Sequence, residues 1–297
     1  MYCDTWKNVI SDKLATKGDF VGIFMQLFRN ILCDLQAHAC RSFLLCKMKW
    51  RARMDRKKPI IALDFKSTKE VRSFLNLFMN KSLNVKIGME LFYSAGPDIV
   101  REVIDAGHSV FLDLKLYDIP NTVENAMAQL AGLGVSMINV HASGGVDMMI
   151  AAKNGLIRGT PAGKEIPILI GVTQLTSRKP EINEAELQLA VTQEESILSL
   201  AKLTQASKLD GVVCSPHESH NIHQRLGSEF LTVTPGIRLS NHQEGQDDQV
   251  RITTPNKAAD YGCDYIVVGR PITKSNDPVK KYDLISKEWQ DALGGRK

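Results

Sequence analysis

The sequence predicts an α/β protein of the (β/α)8 (TIM) barrel class, and two observations carry the prediction. From residue 59 onward, eight short β-branched runs alternate with longer amphipathic ones, as parallel strands alternate with the helices that cover them. Polar and charged residues gather at the C-terminal ends of those runs, the rim on which such barrels place their chemistry. The length agrees: 297 residues hold one barrel of about 250 residues and an extension.

In order, strand 59–65 leads to a helix near 69–79, strand 84–88 to a helix near 95–106, and strand 109–115 to helix 122–133. Strand 136–140 precedes helix 145–157, and strand 167–173 precedes a helix near 194–209. Strand 211–214 leads into helix 216–225, strand 231–234 into helix 254–261, and strand 265–268 into helix 278–292. Eight such units suit a closed barrel better than an open doubly wound sheet. On the rim, Asp64 ends the first strand, Lys86 lies in the second, Asp113 and Lys115 end the third, and His141 follows the fourth. Residues 173–177 follow the fifth, Pro235-Gly-Ile-Arg238 the seventh and Gly269-Arg270 the eighth.

The third strand and its exit are the most informative stretch. Side chains alternate along a strand, so Asp113 and Lys115 share one face while Leu112, Leu114 and Leu116 share the other. Asp118 lies just past the strand, and Ile119 before Pro120 is steered away from helical angles. Asn121, with Glu124 three residues on, is expected to cap the following helix.

Composition excludes several classes. Of the 37 Lys and Arg and 33 Asp and Glu, 12 and 5 fall in residues 1–58, which leaves 25 basic and 28 acidic residues in the body. A mildly acidic body presents no basic face for nucleic acid. Cys3, Cys33, Cys40 and Cys46 lie in the leader and only Cys214 and Cys263 in the body, with no CxxC spacing to indicate zinc or a redox pair. Two isolated body cysteines suit a reducing cytoplasm.

Residues 1–53 are expected to be an extension, helical or disordered, with no assigned function, and the catalytic domain is expected to be 54–297. The apolar stretch 20–50 is interrupted by Arg29, Asp34, Arg41, Lys47 and Lys49, so it lacks the roughly 18 uninterrupted apolar residues of a membrane span. A basic start, a clean apolar centre and a small-residue cleavage site are likewise missing, which argues against a secretory signal.

Several of these segments together carry a family resemblance. Ile61-Ala-Leu-Asp64, Val85-Lys-Ile-Gly88, Asp113-Leu-Lys-Leu-Tyr-Asp-Ile-Pro-Asn-Thr122, His141-Ala-Ser-Gly-Gly145, Leu175-Thr-Ser177, Pro235-Gly-Ile-Arg238 and Val268-Gly-Arg270 stand in one order at barrel spacing. In that order they resemble orotidine 5′-phosphate decarboxylases of the bacterial type, from about Pro59 to the C-terminus. The resemblance implies decarboxylation of orotidine 5′-monophosphate to uridine 5′-monophosphate, in de novo pyrimidine biosynthesis, without cofactor or metal. It implies Lys115 as proton donor to C6 of the pyrimidine and Asp113 beside the departing carboxylate. Lys86, Asp113, Lys115 and Asp118 would form one charge array, with Asp118, Ile119 and Thr122 supplied across a homodimer interface. Asp64 and Lys86 resemble ribose-side contacts, and Thr176 the contact to the pyrimidine amide edge. Arg238, Gln249, Gly269 and Arg270 resemble residues that bind phosphate or close over it, with 239–250 as a flap.

Elementary electrostatics agrees with those roles. Two carboxylates and two ammonium groups in alternation are neutral together, each opposite-charge contact near 4 Å contributing on the order of 4 kcal/mol before desolvation. A lysine between carboxylates is held as the ammonium, suited to give a proton and unsuited to Schiff-base chemistry. Loss of CO2 leaves negative charge on the ring carbon, which a fixed ammonium stabilises. Gly269 permits close backbone approach to an anion and Arg270 offers a donor fork, in the region where barrels often bind phosphate.

Other histidines carry less. His141 reads as a hydrogen-bonded rim residue, or as a catalytic one. His217, His220 and His223 read as solvated helix side chains rather than metal ligands. The main rival is a Mg-dependent sugar-phosphate decarboxylase or lyase similar to 3-keto-gulonate 6-phosphate decarboxylase or hexulose 6-phosphate synthase. Such enzymes share the Asp-x-Lys-x-x-Asp pattern but place an acidic metal ligand where this chain has Lys86. A non-catalytic nucleotide binder is the third reading.

Overall fold

Eight parallel strands close a barrel in sequence order, and the computed structural model describes residues 54–177, 179–239 and 252–295 of the chain. The strands are β1 Ile60–Ala62, β2 Asn84–Gly88, β3 Ser109–Leu116, β4 Met137–His141, β5 Ile168–Val172, β6 Gly211–Val213, β7 Leu231–Thr234 and β8 Tyr265–Val268. Each pairs in parallel with the next, and β1 closes on β8 through Ile60 opposite Val267. The expected barrel is therefore the observed fold, with β2, β7 and β8 at the expected limits. The predicted leader, residues 1–53, lies outside the described residues.

The covering helices are α1 Thr68–Asn76, α2 Met89–Ala95, α3 Asp98–Asp105, α4 Pro120–Ala131, α5 Gly145–Gly159, α6 Pro180–Glu186, α7 Gln193–Ala206, α8 Pro216–Leu226, α9 Pro255–Asp260, α10 Arg270–Thr273 and α11 Pro278–Gly294. Two expectations need correction. The helix expected near 95–106 is present as α3, Asp98–Asp105, but α2, Met89–Ala95, precedes it unexpected, and Gly96 at φ +71° with Pro97 after it separates the two. Asn121 does not cap α4; Ile119 stands at the N-cap and Pro120 at the first helical position, where its fixed φ and missing N–H cost nothing.

The interior has two layers of burial. Ile61, Leu63, Val85, Ile87, Val110, Leu112, Ile138 and Val140 pack outward against the helices, whereas Ile60, Ala62, Phe111, Met137, Ile170 and Val233 fill the barrel. The barrel-filling positions change character along the strands: Ile60 and Ala62 precede Asp64, Phe111 precedes Asp113, and Met137 precedes Asn139. Apolar side chains thus pack the lower barrel while the polar ones are left at the C-terminal mouth. Met54, 3% exposed, joins the lower packing, and its carbonyl accepts from the Tyr265 hydroxyl at 3.0 Å.

Helices α4 and α5 meet through glycine. A Cβ on Gly155 would overlap the Glu124 carbonyl, and one on Gly159 would overlap the Ala128 carbonyl, so the two backbones approach as closely as glycine alone permits. Arg158 adds an ion pair to Glu124 at 3.3 Å. Gly155→Ala must push the helices apart and is expected to destabilise the protein by about 1–3 kcal/mol, the usual cost of overpacking. Urea unfolding of the variant checks this; an unchanged midpoint would mean that the pair is free to separate.

Candidate active site

The mouth of the barrel holds a connected line of charge. Lys86 on β2 reaches Asp64, two residues beyond β1, at 3.1 Å, and Asp113 on β3 at 3.4 Å. Lys115 Nζ donates to Asp113 Oδ1 at 2.7 Å. Carboxylate and ammonium therefore alternate from Asp64 through Lys86 and Asp113 to Lys115. Asp113 and Lys86 are nearly withdrawn from water, with side chains 12% and 13% exposed, whereas Asp64 is 62% exposed.

Burial and pairing compete at the two inner groups. Burial alone raises the carboxyl pKa of Asp113, yet Lys86, Lys115 and the hydrogen bonds from Lys115 and Asn139 outweigh it and hold the group below the usual carboxylate range. For Lys86, burial works to lower the pKa, and Asp113 and Asp64 overcome it, leaving the ammonium more firmly protonated than a free lysine. Both are thus ionised across the neutral range. His141 goes the other way: burial, then the nearby Lys115, lower its pKa and leave the ring neutral.

β3 is not a regular strand where it carries these groups. Leu112 pairs with Ile138 and Leu116 with Val140, so β3 uses four steps where β4 uses two. The resulting bulge holds Asp113, Leu114 and Lys115, and Lys115 adopts φ +51°. A non-glycine residue in the left-handed region is a strained choice that persists only when its surroundings hold it. Bulges beside active sites redirect side chains. This one brings the Lys115 ammonium back onto Asp113.

Asn139 supplies the holding contacts, and sequence reading missed it. Its Oδ1 accepts from the Lys115 backbone N–H at 2.8 Å, and its Nδ2 donates to Asp113 Oδ1 at 2.7 Å. The residue is 0% exposed. A polar amide among Met137, Ile138 and Val140, at a barrel-facing position, is the signal that pointed to it, because a buried amide needs partners. At Gly88, which ends β2, a Cβ would stand in ordinary contact, 3.4 Å, with Lys86 Nζ.

The remaining expected residues distribute around the rim. Thr176, buried, follows β5, and Arg238, 7% exposed, follows β7. Gly269 lies against the first strand, where a Cβ would meet Ala62 and Asp64 Oδ2 at 3.5 and 3.7 Å, and Arg270 opens α10. Arg238 N–H donates to the Thr253 carbonyl and Thr253 N–H to that of Gly236, so the two ends of the expected flap are tied together. Gln249, and the flap from 240 to 250, lie outside the described residues. Asp118, Ile119 and Thr122 are exposed, and the Asp118 carboxylate accepts from the Ile119 N–H at 2.6 Å rather than joining the array of its own chain. His141 stacks near Tyr117, ring centres 5.7 Å apart, and its Nδ1 has no hydrogen-bond partner. The expected hydrogen bond is thus not seen at that nitrogen. His217 packs on Tyr261, His220 pairs with Gln224, and His223 faces Asp264 and the Phe230 carbonyl, so the three histidines do not converge.

Comparison with known proteins places this geometry. The model of the orotidine 5′-phosphate decarboxylase / HUMPS family matches residues 57–285. A protein of Lactococcus lactis subsp. cremoris named orotidine 5′-phosphate decarboxylase is 52% identical over 237 residues, which are 80% of this chain and 99% of the relative. One so named from Lysinibacillus sphaericus is 54% identical over 233 residues, 78% of this chain and 98% of its own. Among solved structures, orotidine 5′-phosphate decarboxylase from Lactobacillus acidophilus superposes with a TM-score of 0.69 at 42% identity, covering 78% of this chain and 98% of that one. An uncharacterised conserved protein of Geobacillus kaustophilus gives a TM-score of 0.69 at 46% identity, covering 77% of this chain and 99% of its own. With its barrel, its rim motifs and more than two thirds of its length matched in this way, the chain belongs to the orotidine 5′-phosphate decarboxylase / HUMPS family.

Proposed function

We propose that this chain decarboxylates orotidine 5′-monophosphate to uridine 5′-monophosphate, a step of de novo pyrimidine biosynthesis, using its own side chains and neither metal nor cofactor. The observation that carries the reading is the Lys115 ammonium set 2.7 Å from Asp113, itself paired to Lys86, in a chain half identical to proteins named for this activity. Lys115 gives its proton to C6 as the carboxylate leaves. Its charge stabilises the carbanion-like ring carbon before the proton arrives, and because the ammonium is already aimed, little reorganisation is needed. Asp113 holds Lys115 in place and stands beside the departing carboxylate, where its negative charge disfavours the bound substrate relative to the transition state.

Lys86 and Asp64 receive the ribose. Thr176 meets the pyrimidine amide edge, and Arg238, Gln249, Gly269 and Arg270 take or enclose the phosphate. The working unit is a homodimer in which Asp118, Ile119 and Thr122 reach the partner's site. The exposure of all three and the absence of an ion pair from Asp118 to Lys86 or Lys115 within the chain support that division. Ile119, 65% exposed, and the neighbouring exposed Tyr117 are apolar side chains that an interface would cover. Residues 54–297 form the catalytic domain, acting in the cytoplasm, in keeping with Cys214 and Cys263 as buried cysteines outside any disulfide.

The Mg-dependent reading has less to stand on. A divalent cation at the second strand would have to take the place of Lys86 Nζ, which already lies between two carboxylates. Mixing the protein with orotidine 5′-monophosphate in EDTA and following pyrimidine absorbance tests the proposal. Turnover that survives the chelator is expected. Turnover restored only by Mg2+ would favour the metal reading, and none with either would leave a nucleotide binder.

A further inference from the structure

We propose that Asn139 is a positioning residue for the decarboxylation, fixing the proton donor by holding the β3 bulge from the opposite strand; this rests on the function proposed above. Where the register between β3 and β4 shifts, the Lys115 N–H donates to Asn139 Oδ1 at 2.8 Å. The other end of the same amide donates to Asp113 Oδ1 at 2.7 Å, the oxygen that also receives Lys115 Nζ. One fully buried amide thus grips the backbone of the donor and the carboxylate that orients its ammonium. An amide offers an acceptor and a donor at the required separation whatever the pH; a carboxylate lacks the donor unless protonated, and an apolar residue lacks both. With the acceptor gone, nothing at this position answers the Lys115 N–H, and φ +51° loses its support. With the donor gone, Asp113 Oδ1 keeps only Lys115 and is free to rotate toward Lys86. Either change moves the ammonium away from the line to the reacting carbon and leaves the phosphate-binding groups untouched.

The N139D variant gives a readout that a purely structural role would not. Its carboxyl would face Asp113 and Lys115 on β3, with Lys86 beyond on β2, His141 two residues on along β4, and Ile170, which carries no charge, opposite on β5. Ionised, it can accept from the Lys115 N–H but repels Asp113; protonated, it donates to Asp113 as the amide did. Steady-state kinetics of wild type, N139D and N139A between pH 5 and 9 should therefore separate kcat from KM. We expect kcat to fall at least about thirtyfold in both variants at pH 8 with KM for orotidine 5′-monophosphate within about threefold. Relative to wild type, the N139D variant should regain about fivefold or more in kcat toward pH 5, and N139A should not. A kcat within twofold of wild type, a loss confined to KM, or parallel pH profiles for N139D and N139A would overturn the proposal. Wild-type turnover in the same series decides the function itself. Should wild type fail to turn over, the crystal structure of N139A still decides the inference: Lys115 leaving positive φ supports it, and Lys115 unmoved against Asp113 overturns it.

Discussion

Replacing Lys115 by alanine is expected to lower kcat by at least about a thousandfold while uridine 5′-monophosphate still binds within a fewfold of wild type. Removing a single preorganised donor from a developing oxyanion commonly costs on the order of 100- to 1,000-fold, and Lys115 supplies the proton as well as the charge. The substitution leaves Asp113 paired to Lys86 and Asn139, so the buried carboxylate keeps partners and the fold should stand. Product affinity, measured by titration, separates the two effects: it depends on ribose and phosphate contacts that Lys115 does not make. A tenfold loss in kcat, or equal losses in turnover and product binding, would remove Lys115 from the proton-donor role.

The second large effect concerns Asp118. If it serves the partner's site, D118A and K115A are each nearly inactive alone, yet an equal mixture of the two should recover about a quarter of wild-type activity. Random exchange in a two-fold dimer makes half the dimers hybrids, and in each hybrid one site collects both lesions while the other is intact. Mixing after mild denaturation and refolding, with activity read against time, performs the test. No recovery in a mixture shown to contain hybrids would place Asp118 in its own chain's site or outside the machinery altogether. The exposed position of Asp118, with its carboxylate turned to the Ile119 N–H, is the arrangement that motivates the experiment.

Legibility in the sequence followed the range of the forces involved. Strand and helix positions are local properties, and the β-branched runs at 84–88, 231–234 and 265–268 mark β2, β7 and β8 at their observed limits. Strand periodicity puts Asp113 and Lys115 on one face on paper, but their 2.7 Å contact is made across a bulge that breaks that periodicity. Local rules misplaced the cap of α4 and missed α2, although Pro120 and Gly96-Pro97 were in plain view. Long-range contacts were out of reach. That β3 would bulge, that Lys115 would take a positive φ, and that Asn139 would answer both depends on the register between two strands, which no single strand encodes. Gly155 and Gly159 look like ordinary helix residues until Glu124 and Ala128 are seen against them. The array at the mouth was thus visible as composition, whereas the scaffold that aims it was visible only as geometry.

The destination of the proton tests the central claim most directly. In D2O with EDTA present, turnover of orotidine 5′-monophosphate should give uridine 5′-monophosphate carrying one deuterium at C6 and none at C5, as read by NMR, and the K115A variant should form it at least about a thousandfold more slowly. Product with no deuterium at C6, or product formed only after Mg2+ is returned, would contradict decarboxylation by a lysine and carboxylate array acting alone.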